Sequence, residues 1–179
     1  KIVPGSEGDK DLVSITEFLE VLGGCIWPST QTRPDISYYT SKLGTCSMHP
    51  TAQHLSYALG LVGYLVKTNH MGITYGGKLR IPAGLTAYPP HFLTSSGLSV
   101  YHDSSWGTAV RPHGGYCVMY LNGATNWEAR SIKCEADSTC EAETAVGSRA
   151  AKAVAADRMV LEDNGRHVTG PTPALGDNQ

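Results

Sequence analysis

Apolar and polar positions follow two different periods along this chain, and the change falls near residue 70. In the first part apolar residues recur every three to four positions, the mark of a helix face. Residues 12–22, "LVSITEFLEVL", predict a helix closed by Gly23 and Gly24. Ser14 stands where it can cap the start, with Glu17 three residues on, a capping-box pattern. "TRPDISYYTSKLG" predicts a second helix, with Pro34 in its first turn and Gly44 at its end. "HPTAQHLSYALGLVGYLVKT" predicts a third, capped by Thr51, with Leu55, Leu59, Val62 and Val66 at helical spacing. Residues 1–11 are polar and read as flexible.

Beyond residue 70 the period shortens. "MGITYGGKLRI" (71–81) alternates on both sides of Gly76-Gly77 and predicts a β-hairpin. A connector rich in Pro and Gly follows, "PAGLTAYPPHFLTSSG". "LSVYHDSSWG" then predicts a strand ending in polar residues. "GGYCVMYLNGATNWEA" predicts two strands around Asn122-Gly123. Cys140 to Leu161 is Ala-rich and free of proline, so it predicts a helix, with Gly165 as its terminator. "PTPAL" predicts a last strand. The order in the second half is strand, strand, strand, helix, strand. The expected division is residues 1–97, helical with a hairpin, and residues 98–179, a mixed α+β unit.

Composition narrows the function classes. Charged residues are only 17%, against a usual quarter, so Ser, Thr, Gly and Asn must carry much of the surface. The net charge of −2 advertises neither nucleic-acid nor membrane binding. Five cysteines, an odd number with no C-x-x-C spacing, argue against a disulfide framework or zinc ribbon. They point to a reducing, intracellular setting rather than secretion. The longest apolar stretch, "ALGLVGYLV", is far short of the ~20 residues of a membrane span. The start, "KIVPGSEGDK", lacks Met and an apolar signal core, and reads as a piece of something longer.

Carboxylates stand at the ends of the second-half elements. Asp103 closes the first strand, Glu141 and Glu143 open the helix, and Asp177 follows the last strand. Strand ends and a helix start can meet on one side of a mixed sheet. Crowded carboxylates repel, and a divalent cation relieves that repulsion. Hard oxygen ligands suit Mg²⁺ or Mn²⁺. Two such ions ~4 Å apart can activate a water and stabilise the leaving oxygen of a phosphodiester. The same acids also have plainer roles: Glu141 and Glu143 complement the helix dipole, and Asp177 suits a turn.

At these residues the chain resembles copia-type retrotransposon polyproteins, where the end of reverse transcriptase runs into its ribonuclease H domain. "TRPDISYYTSKL" is similar to the family's T-R-P-D-I-x-Y segment, and "HPTAQHLSYALGLVGYL" to its Pro-Thr-x-x-His helix. "GITYGG" sits where the family has a G-L-x-Y strand. "YHDSSWG" resembles Y-S-D-A-D-W-A, and "GGYCVMYLNGATNW" resembles G-Y-V-x-x-L-G-G-A-x-x-W. "STCEAETAVGSRAAK" resembles S-T-E-A-E-Y-x-A-x-x-x-A-A-K, and "PTPALGDNQ" the family's P-x-x-x-x-x-D-N-Q. The matches run in order from about Thr32 to Gln179.

The resemblance implies a ribonuclease H-like mixed sheet, here partial, preceded by a small thumb- or connection-like helical unit. It implies divalent-metal-dependent hydrolysis of the RNA strand of an RNA/DNA hybrid. Asp103, Glu143 and Asp177 match the family's metal-holding acids, with Mg²⁺ or Mn²⁺ as the cofactor, and Glu141 is a neighbour two residues away.

The chain also departs from that pattern. The family's fourth carboxylate and the elements that cover one sheet edge are not in this sequence, so either further residues or a protein partner would be expected at that edge. Ala155 and Ala156 stand where the family places large apolar residues, Gly147 replaces a better helix former, and Ser105 replaces a second acid. Residues 98–179 carry seven Lys/Arg against ten Asp/Glu, a net −3, with no basic stripe for a hybrid. Two readings stand: a metal-dependent nuclease module, or a catalytically inactive retroelement-derived subunit with a structural or binding role.

Other motifs weigh less. "GITYGGKL" fits G-x-x-x-x-G-K but offers Leu79 where a phosphate-binding loop needs Ser or Thr. His102 beside Asp103 invites a pairing, but neighbours on a strand point to opposite faces, so a satisfied or exposed histidine is expected. Cys140 at a helix start reads as a small buried thiol more than a reactive one. Trp106 and Trp127 read as core or rim packing more than base-stacking platforms.

Overall fold

The computed structural model describes residues 2–76, 97–105, 112–133 and 138–176. By its contacts the chain divides into two compact units: residues 1–72 together with Ala129–Ser131, and residues 73–128 together with 132–179.

The first unit is helical. Helix α1 spans Ile15–Gln31, a short 3₁₀ turn Pro34–Ile36 leads into α2, Ser37–Gly44, and α3 spans Ala52–Lys67. Ser14 caps α1 as expected, its Oγ accepting from the Glu17 N–H at 3.4 Å. The helix does not stop at Gly23-Gly24, however. It continues through both glycines and through Pro28. Propensity alone opposes this by roughly 1 kcal/mol per Gly and 3 for Pro. The buried stripe explains the outcome: Phe18, Leu22 and Cys25 fall on one face and enter a core with Ile36, Leu43, Ala58 and Leu61. Each large side chain buried there contributes on the order of 1.5–3 kcal/mol.

The stripe on α3 is rotated from the predicted one. His54, Ala58 and Leu61 are buried, whereas Leu59 is 53% and Val66 67% exposed. Helical period alone does not choose between two adjacent apolar faces. Residues 1–11 are also more tied down than their polarity implied. The Ser6 N–H donates to Asp9 at 2.8 Å, which holds the Asp9 carboxyl below its usual range. Val13 donates to Pro50, Ala52 donates to Asp11, and Leu12 bridges Thr51.

Two motif segments close on themselves here. Arg33, 6% exposed, donates to both carboxylate oxygens of Asp35 at 2.9 and 2.7 Å. It also donates to the Thr68 carbonyl and hydroxyl, at 3.1 and 2.8 Å. Its guanidinium lies 5.3 Å from the centroid of the Tyr64 ring, and the Tyr64 hydroxyl donates to Asp35 at 2.9 Å. Thr51 and His54 form a capping box in which histidine replaces the usual Glu or Gln. The Thr51 N–H donates to His54 Nδ1 at 3.1 Å, and the His54 N–H donates to Thr51 Oγ1 at 3.4 Å.

The second unit is a four-stranded mixed sheet under one long helix. Strands β1 (Leu98–Ser105), β2 (His113–Tyr120), β3 (Gly123–Ser131) and β4 (Ala174–Leu175) lie in the order β3-β2-β1-β4. β1 pairs antiparallel with β2, Val100 facing Val118 and Asp103 facing Gly115. It pairs parallel with β4, Val100 facing Ala174 and Tyr101 facing Leu175. Helix α4, Thr139–Asp163, crosses the sheet. Strand, strand, strand, helix, strand is the predicted order, and the architecture is α+β.

Helix α4 buries Ala142, Val146, Ala150, Ala153 and Val154, a narrow stripe of small residues. Part of it packs on Leu98, Val100 and Val118. Its end is a Schellman motif: the Gly165 N–H donates to Glu162 and the Arg166 N–H to Leu161, with Gly165 at φ +71°. The β2–β3 turn is centred one residue earlier than predicted. Leu121 (φ 48°) and Asn122 (φ 68°) take the left-handed positions of the tight hairpin turn, and Gly123 begins the next strand.

Gly123 has its own task. A side chain there would overlap the Tyr75 ring, which lies on it, and the Tyr75 hydroxyl donates to the Ala124 carbonyl at 2.7 Å. The Gly76 N–H donates to the Leu121 carbonyl, and the Leu121 N–H to that of Gly97. Residues 71–76 are irregular rather than the first arm of a hairpin. The other predicted arm, and most of the connector, lie outside the described residues.

Candidate active site

β1 sets the geometry. Side chains alternate along a strand, and Leu98 and Val100 pack against α4. His102 and Ser104 therefore share the helix-facing side, and Asp103 stands on the other, exposed. Glu143 lies in the second turn of α4 and is half-buried, and Glu141 is exposed in the first turn. Asp177 lies outside the described residues. Among the described residues no group of three His, Cys, Asp or Glu is close enough to hold a metal ion.

The elements that carry the three acids nonetheless converge, and His102 reports it. A Cβ added to Gly147 of α4 would lie 3.7 Å from His102 Cε1, and one added to Gly176 would lie 3.3 Å from it. The imidazole is thus held between the helix and the residue that follows β4. Gly147 is one turn beyond Glu143 on the same helical face, and Gly176 precedes Asp177 in the chain. His102 is neither the satisfied nor the exposed histidine expected from the sequence. Its Nδ1 is buried and has no hydrogen-bond partner, and the Ser104 Oγ is in the same condition. Buried polar atoms without partners are few in native proteins, and each one asks for a reason.

The two long sides of α4 differ. Towards β3 it is tied by polar groups. Arg149 pairs with Glu128, and Asp157 accepts from Thr125 at 2.6 Å and Asn126 at 3.3 Å. Towards β4 lies an open groove of about 290 Å³ lined by Val100, Gly147, Ala151, Ala155, Arg158 and Ala174 among others. Ala155 thus leaves space where a larger residue would fill it. Arg158 closes one end, donating to the carbonyls of Gly170 and Val168 and to the Thr172 hydroxyl, each at 3.0 Å. Its partners are backbone carbonyls and a hydroxyl in a loop without regular structure, which no side-chain periodicity announces.

On the sheet face away from α4, burial pushes the Cys117 thiol up to about 11 and raises the Tyr101 phenol. These two face each other across β1 and β2. Cys25, Cys46, Cys117 and Cys140 are free thiols, and Cys140 is exposed, not buried as expected. Trp127 is half-buried, and Trp106 lies outside the described residues. Among the described residues no helix is long and apolar enough to cross a membrane.

No protein-family model matches the chain, and no solved structure matches it. Two curated proteins do. A Ty5-1 transposon protein of Saccharomyces cerevisiae is 28% identical over 125 residues, covering 68% of this chain and 36% of that protein. The retrovirus-related Pol polyprotein from transposon TNT 1-94 of Nicotiana tabacum is 22% identical over 170 residues, covering 93% of this chain and 12% of the polyprotein. The chain therefore spans about a third of the first relative and about an eighth of the second. What these sequences share is a retrotransposon origin, and this chain is similar to a fragment of such a polyprotein.

Proposed function

We propose that this chain is a retroelement-derived, ribonuclease H-like module that hydrolyses the RNA strand of an RNA/DNA hybrid, with Asp103, Glu143 and Asp177 as its metal-holding acids. The observation that carries the reading is the convergence of β1, α4 and the end of β4 around His102. That convergence brings the chain neighbours of all three acids to one end of the sheet. A donor set of three carboxylates suits a hard divalent ion, Mg²⁺ or Mn²⁺. Such an ion, when bound, supplies Lewis-acid polarisation of a phosphate oxygen and a more acidic water. The chain's own contribution is placement. β1 and α4 are fixed by the Val100–Ala150–Val154 packing. Selection of RNA would rest on helix shape and the 2′-hydroxyl rather than on base sequence.

The test is cleavage of an end-labelled RNA/DNA hybrid in Mg²⁺ by the chain and by its Asp103→Asn variant. Cleavage by the parent with a loss of 100-fold or more in the variant supports the reading. Equal rates in the two proteins sink it.

A second reading has its own observation. Asp103 stands on the sheet face away from α4, and the groove beside β4 is open. Both favour a retroelement-derived subunit without catalysis that binds a protein partner at the β4 edge. The absence of any Mg²⁺-dependent cleavage, together with a defined partner at that edge, would favour it.

A further inference from the structure

One end of the groove beside β4 carries a guanidinium with no counter-charge. Arg158 donates from Nη1 to the Gly170 carbonyl and the Thr172 hydroxyl, and from Nη2 to the Val168 carbonyl. All three acceptors are neutral, and among the described residues no carboxylate pairs with Arg158. A guanidinium has five N–H donors. The two left over here sit on Nε and Nη2. Those are the nitrogens with which Arg33 holds both carboxylate oxygens of Asp35. The same fork on Arg158 is open, and its three bonds to the 168–172 loop fix it before any ligand arrives.

The rest of the groove is apolar. Val100, Val154, Ala155 and Ala174 are among the residues that line it, and Arg158 is the one charged group among the described ones. Its volume, about 290 Å³, is the share of roughly ten water molecules. That admits two aliphatic side chains but not a helix, which is ~10 Å across. Along α4 the groove runs from Gly147 to Arg158, about 16 Å at the helical rise. An extended chain covers about 14 Å from its first residue to its fifth, and the first, third and fifth side chains point the same way. A glutamate side chain makes up the remaining length. β4 is the last strand of the sheet, so among the described residues its outer edge is unpaired. Pockets for small free ligands bury about 70–90% of them, and a groove open along its length does not, so its shape suits a chain segment.

We propose that the groove between α4 and β4 binds an extended segment of a protein partner with the pattern apolar, any, apolar, any, acidic. The two apolar side chains fill the stretch from Gly147 to Ala155, and the carboxylate is held by Arg158 Nε and Nη2. β1 runs antiparallel to α4, since Val100 packs on Ala150 and Val154 while His102 lies beside Gly147, and β4 is parallel to β1. A segment with its acid last therefore runs antiparallel to β4, the slightly stronger pairing. The proposal rests on the second reading, a partner at the β4 edge, and uses none of Asp103, Glu143 or Asp177.

The experiment titrates the 179-residue chain with the blocked peptide acetyl-Leu-Thr-Leu-Thr-Glu-amide, following methyl NMR signals. The expected result is saturable binding with shifts at Val100, Val154 and Ala155. Replacing the peptide's Glu by Gln weakens binding about tenfold, a loss of about 1.4 kcal/mol. Arg158→Gln weakens the Glu peptide by a similar factor but leaves the Gln peptide within about twofold, as a direct pair requires. Ala155→Phe, at an exposed position, blocks both peptides.

Equal affinity for the Glu and Gln peptides overturns the proposal, and so does the absence of saturation by about 1 mM. Both are read on the unaltered protein, so they decide the matter even if Arg158→Gln fails to fold. Octanoate binding more tightly than the peptide would give the groove to a free aliphatic acid. Self-association abolished by Ala155→Phe would give it to a second copy. Either overturns the partner segment. The second reading is scored separately. A protein partner cross-linked to β4 that the peptide does not displace leaves that reading standing and overturns this one. A chain that binds the peptide as expected and also cuts the hybrid overturns the absence of catalysis and leaves the groove's ligand as proposed.

Discussion

The motif residues of the two units differ in how far they satisfy their polar groups, although the Thr40 hydroxyl of the helical unit is also buried without a partner. In the helical unit Arg33, Asp35, Thr51 and His54 spend their hydrogen bonds on one another and on nearby backbone. In the sheet unit His102 and Ser104 keep buried polar atoms without partners. A motif that satisfies itself is fold chemistry. A buried polar atom left without a partner asks for its own reason, such as strain, an ordered water or an ion.

The largest expected effect lies in the helical unit. Arg33→Met keeps the stem but removes the guanidinium, leaving Asp35, Thr68 and Tyr64 without it. The loss should be about 2–3 kcal/mol, the scale of hydrogen bonds to a charged group, and it should appear as faster hydrogen exchange at the end of α3. If Arg33→Met costs under about 0.5 kcal/mol, the range of a neutral surface change, the clamp is not structural. The same network fixes a pH dependence. The Arg33 guanidinium, the largest cause, holds the Asp35 carboxyl below its ordinary 3.8. A carboxyl lowered on folding contributes stability that is complete above the unfolded value and is lost as pH falls through the folded one. The helical unit should therefore weaken below about pH 4, and Asp35→Asn should flatten that limb of an acid titration followed by circular dichroism.

The sheet unit should respond with the opposite sign. In the presence of a chelator, His102→Leu and Ser104→Ala each exchange an unpartnered buried polar atom for an apolar one. Each should raise stability by roughly 1 kcal/mol in urea unfolding, because no bond is lost and a desolvation cost is removed. Destabilisation by either change would mean that the orphan atoms have partners in solution, and the contrast between the units would collapse. Thr51→Ala should cost about 1 kcal/mol, as loss of an N-cap does, measured as a shift of the urea midpoint. No effect would mean that the bridge between Leu12 and Thr51 holds the helix start without the cap.

Much of this was legible in the sequence because the signals are local. Ser14, Thr51 and Gly165 act within a turn of themselves, and their roles emerged where expected. The order of elements in the second half follows from periods of two and of about four. What escaped was tertiary. Helix α1 runs through Gly23, Gly24 and Pro28 because its buried face outweighs its propensity, and that sum is not visible from the residues alone. The rotated stripe of α3 depends on which neighbour supplies the core. The His102 environment is built by Gly147 and Gly176, residues 45 and 74 positions away in the chain. Glycines that make room for a distant ring leave no mark in any period. The acids were legible as carboxylates at the ends of elements and gained their roles from the resemblance, whereas the orphan imidazole of His102 is visible only in three dimensions.

The smallest expected effect tests how finely the turn is tuned. Leu121 and Asn122 both lie at positive φ, yet Leu121 is a branched side chain, 45% exposed. Left-handed backbone suits Gly or Asn and strains most other residues. Nothing in the buried core recovers that cost, since the side chain is nearly half in solvent. Its backbone, by contrast, receives the Gly76 N–H and donates to Gly97, so the conformation must be kept. Leu121→Asn should preserve both bonds, relieve the strain and raise stability by about 0.5–1 kcal/mol. Leu121→Val, β-branched, should lower it by a similar amount. If both substitutions are neutral in thermal melts, the turn relaxes in solution, and the docking of Tyr75 on Gly123 cannot depend on it.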